Sequence, residues 1–213
     1  LARNAEFQAI IPVRGKTLNC LKAGYDRIFK SEVIVDLLRV IGCGVEVKTK
    51  RKEDMVPFDM ANLKWAKIII CTDADEDGFQ IRTLLLTLFY RLLPSLINAG
   101  RIYIAESPLF EITPQKGETL FAYNEPEKAK IVRELEEKGM RYTLQRSKGL
   151  GENEPEMMSK TTMDPATRRL IRITPADAAA TARIFETLLG DDLPARKQFI
   201  RDNGARYMAN ADI

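Results

Sequence analysis

The sequence predicts an α/β fold built on a parallel sheet with flanking helices, and three stretches predict it. Ile68-Ile69-Ile70-Cys71 reads as a short buried strand, because β-branched residues fill a sheet that is covered on both faces. A helical pattern follows it, and Ile102-Tyr103-Ile104-Ala105 then reads as the next strand. Strand, helix and strand at these lengths make a βαβ unit, whose strands pair in parallel through a right-handed crossover.

Taken in order, the elements carry their own signals. Leu1 to Gln8 offers no methionine and no capped start, which reads as a piece of something longer. Ala9-Ile10-Ile11 is expected to be a short strand, followed by the basic loop Pro12-Val13-Arg14-Gly15-Lys16-Thr17-Leu18-Asn19. Gly15 lets the backbone approach a phosphate, with two cations and the Asn19 amide as donors. The glycine spacing is not that of a Walker loop, and an exposed basic turn would look the same. Ser31 caps a helix with Val33, Ile34, Leu37, Leu38 and Ile41 as its apolar stripe and Gly42 as its stop. Val45 to Lys52 turns basic, and Arg51-Lys52-Glu53-Asp54 reads as a loop. Trp65 is assigned to packing.

Beyond the central strand, a long amphipathic helix is expected from Ile81 to Ile97, ending at Gly100, with Arg82 on its first turn. A cation there opposes the helix dipole and calls for an anionic neighbour. From Thr113 the texture changes to α+β and mostly helical. Strands are expected at Thr119–Tyr123 and Tyr142–Gln145, and helices at Glu125–Lys138, Glu154–Lys160, Pro175–Leu189 and Leu193–Met208. Between them, Ser147-Lys148-Gly149-Leu150-Gly151-Glu152 offers a second phosphate-sized backbone turn with Lys148 at its lip. Arg168, Arg169 and Arg172 read as a basic segment. The division expected from this change of texture is 1–112 and 113–213.

Composition narrows the classes. The 213 residues are 45% hydrophobic and 30% charged, as in a soluble globular protein. The longest apolar stretch, Leu84 to Ile97, is interrupted by Arg91 and Pro94 and is too short to span a bilayer. No secretory signal is read, and a cytoplasmic location is expected. Three widely spaced cysteines imply neither a disulfide framework nor a zinc site, and the absence of histidine removes the usual general base. Charge is uneven: residues 1–52 hold eleven Lys or Arg against five Asp or Glu, whereas 53–140 hold ten against fifteen. Basic flanks around an acidic centre suit a protein that holds a polyanion beside a metal.

The acidic centre is Asp73, Asp75 and Asp77, alternating with Ala74 and Glu76 and followed by Gly78. It stands at the carboxyl end of a predicted strand, where open α/β sheets bind ligands. A polar turn that feeds acids into a helix N-terminus is one reading. A calcium EF-hand is excluded, because Leu84 stands where its bidentate glutamate belongs and a strand replaces the entering helix. A Mg²⁺ site for phosphoryl chemistry is the reading that the neighbouring segments favour.

The ordered set IIPVRGKTLN, TDADEDG with IRTLLLT, RIYIAESPLF, SKGLGE, TTMDPATRR and LLGDDLPARKQFI resembles the C-terminal half of the B subunit of bacterial type IIA DNA topoisomerases, DNA gyrase or topoisomerase IV. The resemblance runs over essentially the whole chain. It implies a TOPRIM domain, a Rossmann-like parallel sheet, without its first strand, plus a tail. It further implies that Asp73 and Asp75 hold Mg²⁺, that Asp77 is the third acid of the catalytic motif, and that Arg14, Lys16, Asn19, Arg82 and Lys148 lie near double-stranded DNA.

In that family the A subunit supplies the tyrosine nucleophile in an assembly of two A and two B subunits, and ATP binds a domain upstream. The family's Glu-Gly-Asp-Ser-Ala segment, which carries a further metal ligand, would precede this chain, so the piece alone is expected to be inactive. Phe79-Gln80 departs from the Ser-His of many relatives. A TOPRIM primase or nuclease, and a non-catalytic scaffold in which the acids cap a helix, are the alternatives.

Overall fold

Ile68–Ile70 form β1, and the chain leaves the sheet where the charge begins. The computed structural model describes residues 2–47, 56–147, 149–151, 153–175 and 178–207. The basic stretch after Val47 and Lys148 therefore lie outside the described residues. β1 neighbours β2 (Ile102–Ala105), and the chain between them runs through α3 (Glu76–Leu92) and α4 (Pro94–Asn98). That is the predicted strand–helix–strand connection, with one change. The single helix expected over Ile81–Ile97 begins more than a turn earlier and breaks at Leu93 (φ −144°, ψ 45°), because a proline ring excludes the preceding residue from helical geometry.

The other neighbour of β2 is β6 (Leu170–Arg172), a strand within what the sequence presented as a basic segment. Ile173 N–H donates to Ile102 O (2.9 Å) and Glu106 N–H to Arg169 O (3.0 Å), so numbering rises on one strand as it falls on the other. The pair is antiparallel, and the sheet is mixed rather than purely parallel. No strand forms at Ala9–Ile11, where Ile10 is 62% exposed. Without a ladder partner, apolar residues do not by themselves make a strand. No helix of the described residues is long and apolar enough to cross a membrane.

The chain divides into two compact units. The first comprises Leu1–Ile10, Cys71–Phe79 and Ile104–Ile171. Its antiparallel sheet has the order β4 (Leu120–Ala122), β3 (Phe110–Pro114), β5 (Tyr142–Arg146), with Ile112 opposite Leu120 and Leu144. α5 (Glu125–Glu137) covers one face, and Ile112, Ala122 and Leu135 form the core with Phe110, Ile131, Met140 and Tyr142 against it. α6 (Pro155–Met158) runs into a π-turn, Ser159–Met163, where the buried Thr161 hydroxyl donates to Met157 O at 2.8 Å.

The second unit comprises Ile11–Ile70, Gln80–Tyr103 and Arg172–Ile213. After α1 (Tyr25–Ile28), α2 (Glu32–Ile41) buries Ile34, Leu37 and Ile41, while Val33 of the expected stripe faces outward at 38% exposure. Gly42 closes α2 with φ +85°, a left-handed turn that glycine makes without steric cost. Trp65 is half-buried, and its indole N–H donates to Val40 O at 2.7 Å. Leu84, Leu85, Leu88, Phe89 and Leu92 of α3 are buried, and α7 (Ala178–Leu189) and α8 (Leu193–Tyr207) end the unit.

Candidate functional site

The acidic turn lies in the first unit. Asp75 stands at the head of α3, with its backbone carbonyl accepting from Phe79 N–H (2.9 Å) and its Oδ1 accepting from Gly78 N–H (2.7 Å). That is an N-cap: the side chain satisfies an amide that the first helical turn leaves without a partner. Glu76 and Asp77 follow in the first turn, where the helix dipole favours negative charge. Gly78 is required by space, since an added Cβ would overlap the Asp73 carbonyl. The abrupt stop from strand to acid to glycine is therefore a packing solution that brings four carboxylates into five residues of chain.

Asp73 is half-buried, whereas Asp75 and Asp77 are exposed. Leu150 N–H donates to Asp73 Oδ1 at 2.7 Å, so the second glycine-flanked turn does bind an anion through its backbone, and that anion is the Asp73 carboxylate. The short charge-assisted bond fixes which oxygen faces the turn. Ser107 Oγ donates to Thr72 O at 3.1 Å and pins the residue before it. Among the described residues, neither Asp73 nor Asp75 pairs with a lysine or arginine. Two carboxylates kept without a cationic partner retain lone pairs for a cation.

The described residues contain no group of three or more Asp, Glu, Cys or His side chains gathered as a metal cage. Mg²⁺ does not require one. It binds through one or two carboxylates, its own waters and substrate phosphates, and it prefers hard oxygen donors. Asp73 and Asp75 fit that demand. Burial pushes the Cys20 thiol up to about 11 despite Arg91 nearby, leaving it without thiolate character, and burial likewise raises Cys43.

The basic loop lies in the second unit. Arg14 and Lys16 are exposed on either side of Gly15, whose φ of +70° makes the turn between them. Asn19 is more committed than its sequence context implied. Its Oδ1 accepts from Leu21 N–H (3.0 Å) and its Nδ2 donates to Leu189 O (3.2 Å), so it brackets the end of the loop. Arg82 is in the second turn of α3 rather than the first, because the helix starts at Glu76. The helix dipole, which acts within the first turn, therefore does not call for an anion beside it.

Sequence reasoning gave Arg91 no role beyond interrupting an apolar run. Its guanidinium donates to the carbonyls of Cys20, Leu21 (3.0 Å) and Ala23 (2.6 Å) and lies 4.6 Å from the Tyr25 ring centroid. It is the internal clamp of the turn that follows the basic loop. A lone cation within an otherwise apolar helical run was the available signal.

A family model described as "Toprim domain" matches residues 1–107, and one described as "DNA gyrase B subunit, carboxyl terminus" matches residues 139–201. The chain is 46% identical over 199 residues to the DNA gyrase B subunit of Thermotoga maritima, covering 93% of this chain and 29% of that one. The DNA gyrase B subunits of Metamycoplasma hominis and Halalkalibacterium halodurans are 40% and 42% identical over 100% and 99% of this chain, in each case 31% of their own length. The chain thus spans less than a third of the curated relatives it matches.

Proposed function

The chain belongs to the Toprim family, and on that premise we propose that it is part of the DNA cleavage and religation core of an ATP-dependent type II DNA topoisomerase. Its role is to hold Mg²⁺ and to grip the DNA backbone, while an A subunit supplies the tyrosine that attacks the phosphodiester. The similarity to DNA gyrase B subunits supports this reading. The observation that carries it is the half-buried Asp73 carboxylate, held by the Leu150 amide and paired with no lysine or arginine among the described residues.

Asp73 and Asp75 would hold the metal, with Asp77 adding negative potential at the head of α3. When bound, Mg²⁺ supplies stabilisation of the charge that builds on the phosphate and the leaving oxygen. The chain's own residues do the remainder. Asp73 presents one oxygen while the other is restrained, and Arg14 and Lys16 bind phosphates without reading sequence. On the same reading Arg82, Asn19 and Lys148 contribute further contacts to the DNA backbone. Arg91 and Asn19 keep the basic loop's exit fixed.

None of the six tyrosines serves as nucleophile. Tyr90 stacks on Phe185 at 4.5 Å, Tyr123 lies under Arg169, and Tyr142 donates to Glu136 at 3.0 Å.

The test uses the full-length B subunit reconstituted with its A subunit. Asp73→Ala or Asp75→Ala is expected to abolish Mg²⁺-dependent double-strand breaks while ATP hydrolysis persists. Undiminished breaks in either variant would remove that residue from the chemistry. A second reading, in which the acids are helix caps only, is favoured by the Asp75–Gly78 bond. Asp75→Asn, which keeps a cap and removes the charge, separates the two.

A further inference from the structure

We propose that the Gly149–Leu150 turn is a positioning element for the Asp73 carboxylate, acting through one backbone amide and one missing side chain. The inference rests on the reading of Asp73 as a metal ligand and deepens it. The torsion that turns an aspartate carboxylate is broad, so packing along the chain alone does not choose which oxygen faces outward. The Leu150 N–H chooses, by binding Oδ1 at 2.7 Å. Gly149 sets the clearance: an added Cβ there would sit 3.3 Å from Asp73 Oδ2 and 3.5 Å from Cγ and Oδ1. The Cγ and Oδ1 distances are ordinary van der Waals contact, but the Oδ2 contact is tighter than that, so the carboxylate oxygen must give by a few tenths of an ångström. Mg²⁺ tolerates such displacement poorly, because it demands near-octahedral ligands at about 2.0–2.1 Å.

The neighbouring glycine provides the internal control. A Cβ added at Gly151 meets nothing within 4 Å. Neither Gly149 nor Gly151 needs a positive φ, so alanine is compatible with the backbone at both. The requirement at position 149 is therefore clearance for Asp73, not turn formation. Partners of this kind, which bind a ligand rather than the metal, commonly change metal affinity by about 10- to 100-fold when removed.

The experiment measures Mn²⁺ binding by paramagnetic resonance on the full-length B subunit without nucleotide, beside its thermal midpoint. Gly149→Ala is expected to weaken Mn²⁺ binding about tenfold, with Gly151→Ala within about twofold of the parent and the midpoints of both close to it. Should Gly149→Ala fail to fold, an amide-to-ester replacement at Leu150 deletes the N–H alone and is expected to weaken binding likewise. If Asp73→Asn loses Mn²⁺ while Gly149→Ala and the ester retain it, the positioning role is overturned and the metal reading stands. If Asp73→Asn binds Mn²⁺ as the parent does, the metal reading falls and takes this inference with it.

Discussion

At the start of α3, Asp75 Oδ1 receives the Gly78 N–H at 2.7 Å, and at the start of α5, Asn124 Oδ1 receives the Glu127 N–H at 2.8 Å. The capping geometry is shared, but the acids beside it differ in what else they bind. Glu127 accepts from Arg169 Nη1 (2.8 Å), Tyr123 N–H (3.1 Å) and Asn124 Nδ2 (3.2 Å), and the Arg169 bond foremost holds its carboxyl below the usual range. The Asp73 and Asp75 carboxylates each accept one backbone N–H and pair with no cation among the described residues. The α5 end spends its acid on stability. At the α3 end the Asp73 and Asp75 carboxylates are held by backbone amides and pair with no lysine or arginine among the described residues.

The largest break in this comparison comes from removing charge at α3 without removing the cap. Asparagine caps a helix as well as aspartate, so Asp75→Asn should leave unfolding free energy within about 0.5 kcal/mol of the parent. Asp75→Ala should lose about 1 kcal/mol with the cap. On the proposed function both lose DNA cleavage, by more than the about 10- to 100-fold typical of losing a partner of a metal ligand. Cleavage retained in Asp75→Asn, measured as linear product from a supercoiled plasmid, would reduce Asp75 to a capping residue.

The mirror experiment sits at α5. Asn124→Ala deletes the cap and one bond to Glu127, and should lower stability by about 1 kcal/mol in a urea titration. Cleavage per folded molecule should stay at the parental level. A cleavage defect there would mean that α5 is coupled to the chemistry, and the contrast between the two helix starts would fail.

What the sequence disclosed follows from how local each signal is. The β1 strand, the acidic turn and β2 stand on contiguous runs, and β4 and β5 fall within a few residues of the strands expected at Thr119–Tyr123 and Tyr142–Gln145. β6 escaped because three residues, Leu170–Arg172, within an arginine-rich segment carry no alternation, and only the open side of β2 makes them a strand. The early start of α3 escaped because acids at a helix N-terminus and acids that hold a metal have the same residue identities. At the candidate site, the residue types were legible in order along the chain. The Leu150 amide on Asp73 was not, because a backbone donor leaves no mark on residue identity and the two positions are far apart in sequence.

The smallest effect is a pH dependence at the α5 end. Glu127 has its folded pKa lowered from an ordinary 4.5, first by the Arg169 bond. A depressed carboxyl pKa contributes stability that is fully present above the unfolded value and is lost as pH falls through the folded one. Arg169→Ala should therefore cost about 0.5–1 kcal/mol near pH 7, a modest figure because the side chains are 45% and 32% exposed and solvent screens the pair. The gap between variant and parent should narrow on acidification below pH 4.5. It should not close, because the guanidinium also lies 3.9 Å from the Tyr123 ring centroid, and that contact survives protonation of Glu127. Urea titrations of parent and variant at both pH values decide it: an unchanged gap would assign the stabilisation to ring packing alone and leave Glu127 no more committed than Asp73.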